Sequence, residues 1–304
     1  MASAEMQNLI AFLRQAQDKK RRPDVAAIRA GLEQLSAMAP PFEGVSINAV
    51  DAGGVPAEWV STPGKEADQV VLYFHGGGFN AGSLATHRNL VCHLARESGW
   101  RVLAADYRLA PEHPFPAGVV DAVAIYRWLI TDGGYAAGQV VFGGDSAGGG
   151  LALAALVKLR DAGDQMPRAA FCLSPWTDLA MTGDSIRTKS AEDPFIEPEA
   201  LAYLAGQYLQ GADPKDPLAS PLYADLAGLP PLLIQVGERE CLLDDSRRLA
   251  ARAKSAGVDV TIDVWPEMIH VFQSFAPVAP EGLDGIRRIA AYLSGLDVKK
   301  ADLF

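Results

Sequence analysis

Apolar positions at the start of the chain recur with the period of a helix. Met6, Leu9, Ile10 and Leu13 fall at i, i+3, i+4 and i+7, and Val25, Ile28, Leu32 and Leu35 give a second helix-spaced set. Each set lays one apolar stripe along a helix. The basic run Lys19, Lys20, Arg21 and Arg22 is expected to close the first helix, where cations suit the negative end of its dipole, and Pro23 to stop it. Pro40 and Pro41 are expected to end the second. Two helices ahead of any strand are unusual for a minimal α/β sheet and suggest a cap across the face of a site.

From Gly44 the pattern changes. Residues 45–50 and 55–60 read as strands joined by the turn Asp51, Ala52, Gly53 and Gly54, an antiparallel hairpin at a sheet edge. Residues 69–74 are almost continuously apolar, as a parallel strand covered on both faces is. Then helices and strands alternate: a helix at 86–98, a strand at 101–105, and a loop stiffened by Pro111, Pro114 and Pro116. A helix through Val120, Val123, Ala124 and Trp128 leads to a strand at Val140, a helix from about Leu151 and a strand at 169–173. Strands at 232–236 and 258–264 and helices at 244–255 and 283–293 follow. This alternation predicts an α/β fold, a mostly parallel sheet with helices on both faces. Residues 182–221 interrupt it with charged loops and one helix carrying Leu201, Leu204 and Tyr208, a second candidate cap piece.

Composition narrows the function classes. An apolar share of 49% and a charged share of 21% over 304 residues describe an ordinary soluble globular chain. A net charge of −10 argues against nucleic acid or an anionic membrane as the main partner. No basic start leads into an apolar core, and no run of about 18 apolar residues is present, so neither a signal peptide nor a membrane span is expected. Cys92, Cys172 and Cys241 show no paired spacing, which suggests a reducing compartment and so a cytoplasmic location.

The chemistry centres on Gly144, Asp145, Ser146, Ala147 and Gly148, which join the strand at Val140 to a helix. In a strand–turn–helix elbow the serine is held in a strained conformation with its hydroxyl presented at a helix N-terminus. A second Gly183, Asp184, Ser185 lacks both the following glycine and a preceding strand, and is set aside. A serine nucleophile needs a base, and there are five histidines. His75 opens a glycine run and suits a shaping role, His93 lies inside a helix, and His87 and His113 both precede the elbow. His270 follows the last strand, on the rim where strand ends carry ligands, in the chain order Ser, acid, His. After the strand at 232–236, Glu238, Glu240, Asp244 and Asp245 compete as the carboxylate that orients the imidazole. The bland alternative is that three of them serve a helix start. Gly76, Gly77 and Gly78 follow a buried strand, and with the N–H of Ala147 their bare backbone could receive an oxyanion.

With these motifs the chain resembles the hormone-sensitive-lipase-like family of α/β-hydrolases, the bacterial carboxylesterases. The resemblance covers about residues 70–275. It rests on His75-Gly76-Gly77-Gly78, Gly144-Asp145-Ser146-Ala147-Gly148-Gly149, Tyr107-Arg108-Leu109-Ala110-Pro111-Glu112 and the pair His270 and Phe272. It implies oxyanion donors at Gly77, Gly78 and Ala147. Glu240-Cys241-Leu242-Leu243-Asp244 stands where the family usually has Asp-Pro-Leu-x-Asp, so Glu240 matches the acid, one methylene longer, with Asp244 in reserve. The resemblance also implies an eight-stranded sheet, short-chain esters as substrates and frequent homodimers. The division expected is 1–43 as an N-terminal helical cap segment, 44–181 and 222–304 as the catalytic domain, and 182–221 as a cap insert.

The reaction expected is two-step hydrolysis of a small-molecule ester through an acyl-enzyme, with Ser146 as nucleophile, His270 as base and Glu240 as acid, and no metal or cofactor. The alternatives are an amide hydrolase or peptidase with the same triad, a non-catalytic ligand-binding member of the fold, and a structural domain with an accidental elbow. Phe195, Ile196, Leu201 and Leu204 either line a pocket or pack the cap, and Tyr203 and Trp176 are equally ambiguous.

Overall fold

The computed structural model describes residues 1–16, 24–40, 42–65 and 68–301. The expected basic helix end at 19–22, with Pro23 and Pro41, lies outside the described residues.

Two helices, α1 (Ala4–Ala16) and α2 (Val25–Ala37), precede the hairpin β1 (Ser46–Asp51) and β2 (Pro56–Ser61). There follow β3 (Val70–Phe74), α3 (Leu84–Ser98), β4 (Arg101–Ala105), α4 (Ala117–Thr131), β5 (Val140–Asp145), α5 (Ala147–Ala162) and β6 (Ala169–Leu173). Two helices, α6 (Ser185–Thr188) and α7 (Pro198–Leu209), come before β7 (Leu232–Gly237), α8 (Leu243–Ser255), β8 (Val260–Trp265) and α9 (Pro280–Ala301).

The eight strands form one sheet in the order β1-β2-β4-β3-β5-β6-β7-β8. The β1–β2 and β2–β4 pairs are antiparallel and the rest are parallel. The expected edge hairpin and eight-stranded α/β sheet are therefore both present. Every residue of β3, β5, β6 and β7 is buried, which is why their sequences read as continuous apolar runs. One face packs on α4, α5 and α8, and the other on α3 and α9.

Several expectations shift in detail, among them the start of α5 at Ala147 and the span of β8 at Val260–Trp265. Helix α3 starts at Leu84, because Ser83 caps it and Thr86 completes a capping box. The last helix reaches from Pro280 to Ala301, further than its apolar stripe at Ile286, Ile289 and Leu293 revealed. The insert holds two helices rather than one, since the four residues of α6 are too few to display a helical stripe.

The two N-terminal helices are bound to the body differently. Met6, Ile10 and Leu13 of α1 pack against Met268, Ile269, Phe272 and Phe275, beyond β8. From α2, Arg29 donates to the carbonyls of Asn80 at 2.7 Å and Ala110 at 3.0 Å and pairs with Glu112. The parallel strands β3, β5, β6, β7 and β8 all release their chain at the same sheet rim, where ligands of such sheets bind. His75, Ser146, Ser174, Glu240 and His270 all follow those strand ends.

Candidate active site

Ser146 sits between β5 and α5 at φ 52° and ψ −121°, a backbone region that a residue with a side chain rarely occupies. The elbow is fastened on both sides: Ser146 N–H donates to Leu173 O at 2.8 Å, and Trp176 N–H donates to Ser146 O at 2.9 Å. A Cβ on Gly148 would lie 2.1 Å from Phe74 O, so the helix can approach β3 this closely only with glycine there. Ala147 is the first residue of α5 and is fully buried.

His270 Nδ1 stands 2.8 Å from Glu240 Oε2, and both side chains are buried. The other carboxylate oxygen, Oε1, accepts from Ser174 Oγ at 2.8 Å and from Gly237 N–H at 2.5 Å. Ser174 Oγ in turn accepts from Val271 N–H at 3.1 Å. Burial opposes a charged imidazole, but the hydrogen bond and charge of Glu240, with Asp193 and Asp145 beyond, outweigh it and raise the His270 pKa.

The other three carboxylates of that loop are occupied elsewhere. Asp244 accepts from Ser185 N–H at 2.8 Å, and Glu238 from Glu267 N–H at 3.2 Å. Asp245 accepts from Thr177 N–H and Asp178 N–H, and burial pushes its carboxyl up to about 7. Asp244 and Asp245 do stand in the first turn of α8, yet they bond crossing loops rather than cap their own helix. Those loops bring backbone N–H groups that have no partner of their own.

The glycine loop after β3 places Gly77 at φ 117° and Gly78 at φ 65°. Asn80 Nδ2 donates to Gly78 O at 2.6 Å and to Leu204 O at 2.9 Å, which joins this loop to α7. Gly77 O accepts from Ala81 N–H at 2.9 Å, so the carbonyls of the loop are taken up locally.

Gly77, Gly78, Ser146 and His270 wall one cavity of about 770 Å³. Among the described residues no hydrogen bond joins the Ser146 hydroxyl to His270. Further, largely apolar walls come from α1 and α2 (Leu9, Phe12, Ile28, Leu32), from the insert (Phe195, Ile196, Leu201, Leu204), from the first turns of α3 and from the segment after His270 (Phe275, Val278). Leu201 and Leu204 are also buried, so they both pack the insert and face the cavity. Trp176 and Tyr203 pack against the core instead. Among the described residues no group of three or more His, Cys, Asp or Glu side chains is arranged to hold a metal ion.

The family described as "alpha/beta hydrolase fold" matches residues 71–274. An esterase from the bacterial hormone-sensitive lipase family superposes with a TM-score of 0.92 at 49% identity, covering 96% of this chain and 98% of that one. The chain belongs to the hormone-sensitive-lipase-like family of α/β-hydrolases. A crystal structure of EstE5 soaked with p-nitrophenyl butyrate superposes with a TM-score of 0.92 at 44% identity, covering 97% and 99% of the two chains. An acetyl-hydrolase of Streptomyces hygroscopicus is 49% identical over 80% of this chain and 81% of its own length. An esterase of Acinetobacter venetianus is 37% identical over 90% and 89%. The protein is a carboxylic ester hydrolase.

Three residues around the hydrolase's site escaped the sequence reading. Ser174 follows β6 on the active rim, a position that could have singled it out. Asp193, in the insert, accepts from the N–H groups of Phe195 at 2.9 Å, Ile196 at 3.0 Å and Cys241 at 2.8 Å. It ties two cavity-wall residues to the loop that carries Glu240. His87, passed over because it precedes the elbow, reaches Asp145 beside Ser146.

Proposed function

We propose that the hydrolase cleaves short-chain carboxylic esters in two steps through an acyl-enzyme on Ser146. The observation that carries this is the meeting of Ser146, His270, Gly77 and Gly78 on one cavity, with Glu240 hydrogen-bonded behind the imidazole. Ser146 Oγ attacks the ester carbonyl while His270 Nε2 takes its proton. Glu240 holds the imidazole by Nδ1 and stabilises the positive charge that forms. The N–H groups of Gly77, Gly78 and Ala147 receive the oxyanion. His270 then returns the proton to the leaving alcohol, and water repeats the sequence to release the acid.

Short acyl groups are favoured by analogy with the acetyl-hydrolase of Streptomyces hygroscopicus and with the butyrate ester used on EstE5. Residues 1–43 and 182–221 act as the cap, because both supply walls of the cavity. The cap dries the site, which strengthens the polar contacts made to the oxyanion.

The test is Ser146→Ala, assayed with p-nitrophenyl acetate and butyrate and with a serine-reactive phosphonate. Hydrolysis and labelling should both vanish while the circular dichroism spectrum is kept. Retained turnover by a folded Ser146→Ala variant would overturn the reading.

A further inference from the structure

His87 is a histidine with 12% of its side chain exposed, for which the ester-cleavage scheme has no task. It lies in the first turn of α3 and shares a wall of the cavity with Asp145 and Ser146. Its Nε2 stands 3.3 Å from Asp145 Oδ2, and its Nδ1 lies 2.8 Å from Thr86 Oγ1. Asp145 Oδ1 accepts from Gly76 N–H at 3.1 Å and from Tyr73 Oη at 2.8 Å. One carboxylate, next in sequence to the nucleophile, therefore holds the start of the glycine loop.

The surroundings of the pair point the same way. Gly76 N–H faces His87 Nε2 at 3.3 Å as well as Asp145 Oδ1 at 3.1 Å, so imidazole, carboxylate and the start of the glycine loop meet at one point. Burial opposes charge on His87, and the adjacent Asp145 outweighs it with smaller help from Glu33 on α2. His75, whose ring centroid lies 5.3 Å from that of His87, is the opposite case. Burial, and then the charge on His87, push it down to about 4. The remaining charged neighbour on α3 is Arg88, which turns away to pair with Glu58.

We propose that His87 is a positioning residue for the oxyanion loop. With Asp145 it forms a second imidazole–carboxylate pair, which fixes Gly76 and through it the N–H groups of Gly77 and Gly78 relative to Ser146. The proposal rests on the reading of Gly77 and Gly78 as oxyanion donors. Asp145 spans the ends of β5 and β3, the two strands that carry nucleophile and donors, and His87 keeps its carboxylate turned toward β3. His87 does not exchange a proton with substrate.

The test compares His87→Ala and His87→Gln with the unaltered enzyme on p-nitrophenyl butyrate. For His87→Ala, kcat should fall roughly 10²-fold, the scale of a small misplacement of catalytic groups, with KM little changed. Affinity for a trifluoromethyl ketone, which forms a tetrahedral adduct on serine, should fall in parallel. Because the vacated space opens on the cavity, added imidazole should restore turnover. A His87→Ala/Ser146→Ala double variant gives the direct reaction of imidazole with the ester. His87→Gln keeps a donor in place and should retain more activity than His87→Ala. An unchanged kcat, a change confined to KM, or a loss that neither imidazole nor glutamine relieves would overturn the proposal. Activity in Ser146→Ala alone would instead overturn the underlying reading of the site.

Discussion

Glu240 and His270 meet through a single hydrogen bond of 2.8 Å, and the second oxygen of Glu240 is held by the Ser174 hydroxyl and the Gly237 N–H. The longer side chain is thus fixed at both oxygens, which removes the freedom that an extra methylene would add. In Glu240→Gln the amide cannot stabilise an imidazolium as a carboxylate does. We expect kcat to fall on the order of 10²–10⁴-fold. Asp244→Asn, altering a group bonded to Ser185, should leave kcat nearly unchanged. Steady-state kinetics of the two variants on one nitrophenyl ester decide between them, and the reverse ranking would reject Glu240.

Ser174 joins two loops, donating to Glu240 and accepting from Val271 N–H. Ser174→Ala leaves a buried carboxylate oxygen and a buried N–H each short of a partner. A loss of about 1–3 kcal/mol in unfolding free energy is expected. Urea denaturation measures it. The kinetic signature is a lower kcat, because the acid is less well held, while KM stays near its original value.

The raised pKa of His270 fixes the direction of a pH effect. In the proposed mechanism only the neutral imidazole accepts the serine proton, so activity should be lost as pH falls through the His270 value. That value lies above 6.5, and the acid limb of kcat/KM should therefore have its midpoint above pH 6.5. Replacing Asp193 by Asn removes one of the negative charges that favour the imidazolium, and should move the midpoint to lower pH. An unchanged midpoint in Asp193→Asn would show that this carboxylate does not act on His270.

Gly78 offers a test by repair. Its φ of 65° disfavours a side chain, and a Cβ there would come within 2.6 Å of Leu204 Cδ1. Gly78→Ala should lower kcat by roughly 10²–10³-fold, the scale of losing one oxyanion donor. Because the obstacle is a side chain, Leu204→Ala in the same molecule should recover part of the loss. In Gly77→Ala the Cβ would meet the backbone oxygen of Ala81 at 2.1 Å, and no side-chain truncation should help. A double-mutant cycle in kcat separates the two cases.

The elbow, the glycine loop and the parallel sheet were legible because each is written locally. Buried strands end in glycines, and a serine stands between glycines before a helix. His270 was legible through chain order and its place after the last strand. The choice among Glu238, Glu240, Asp244 and Asp245 was not, since it depends on which backbone N–H groups cross the loop from the insert and from β6. Only the resemblance favoured Glu240. His87 was hidden for a related reason. Its partner Asp145 is 58 residues away, and nothing in the helical pattern of α3 marks the first turn as facing a carboxylate. The hydrophobic stripes of α1 and α2 were read correctly as amphipathic, but the stripe of α2 turns out to face the cavity at Ile28, Leu32 and Leu35.

The docking of α1 on the segment that carries His270 has a consequence for assembly. Ser3 bonds to Glu281, 278 residues away, and Met6, Ile10 and Leu13 share their cluster with Met268, Ile269, Phe272 and Phe275, beyond β8. During synthesis this apolar stripe is made early and waits, uncovered, for nearly the whole chain to follow. The contact closes late because so long a loop must be drawn in first. The surroundings of His270 are then among the last parts of the molecule to be completed, and a chain stopped short of β8 would carry a formed elbow at Ser146 with α1 left undocked.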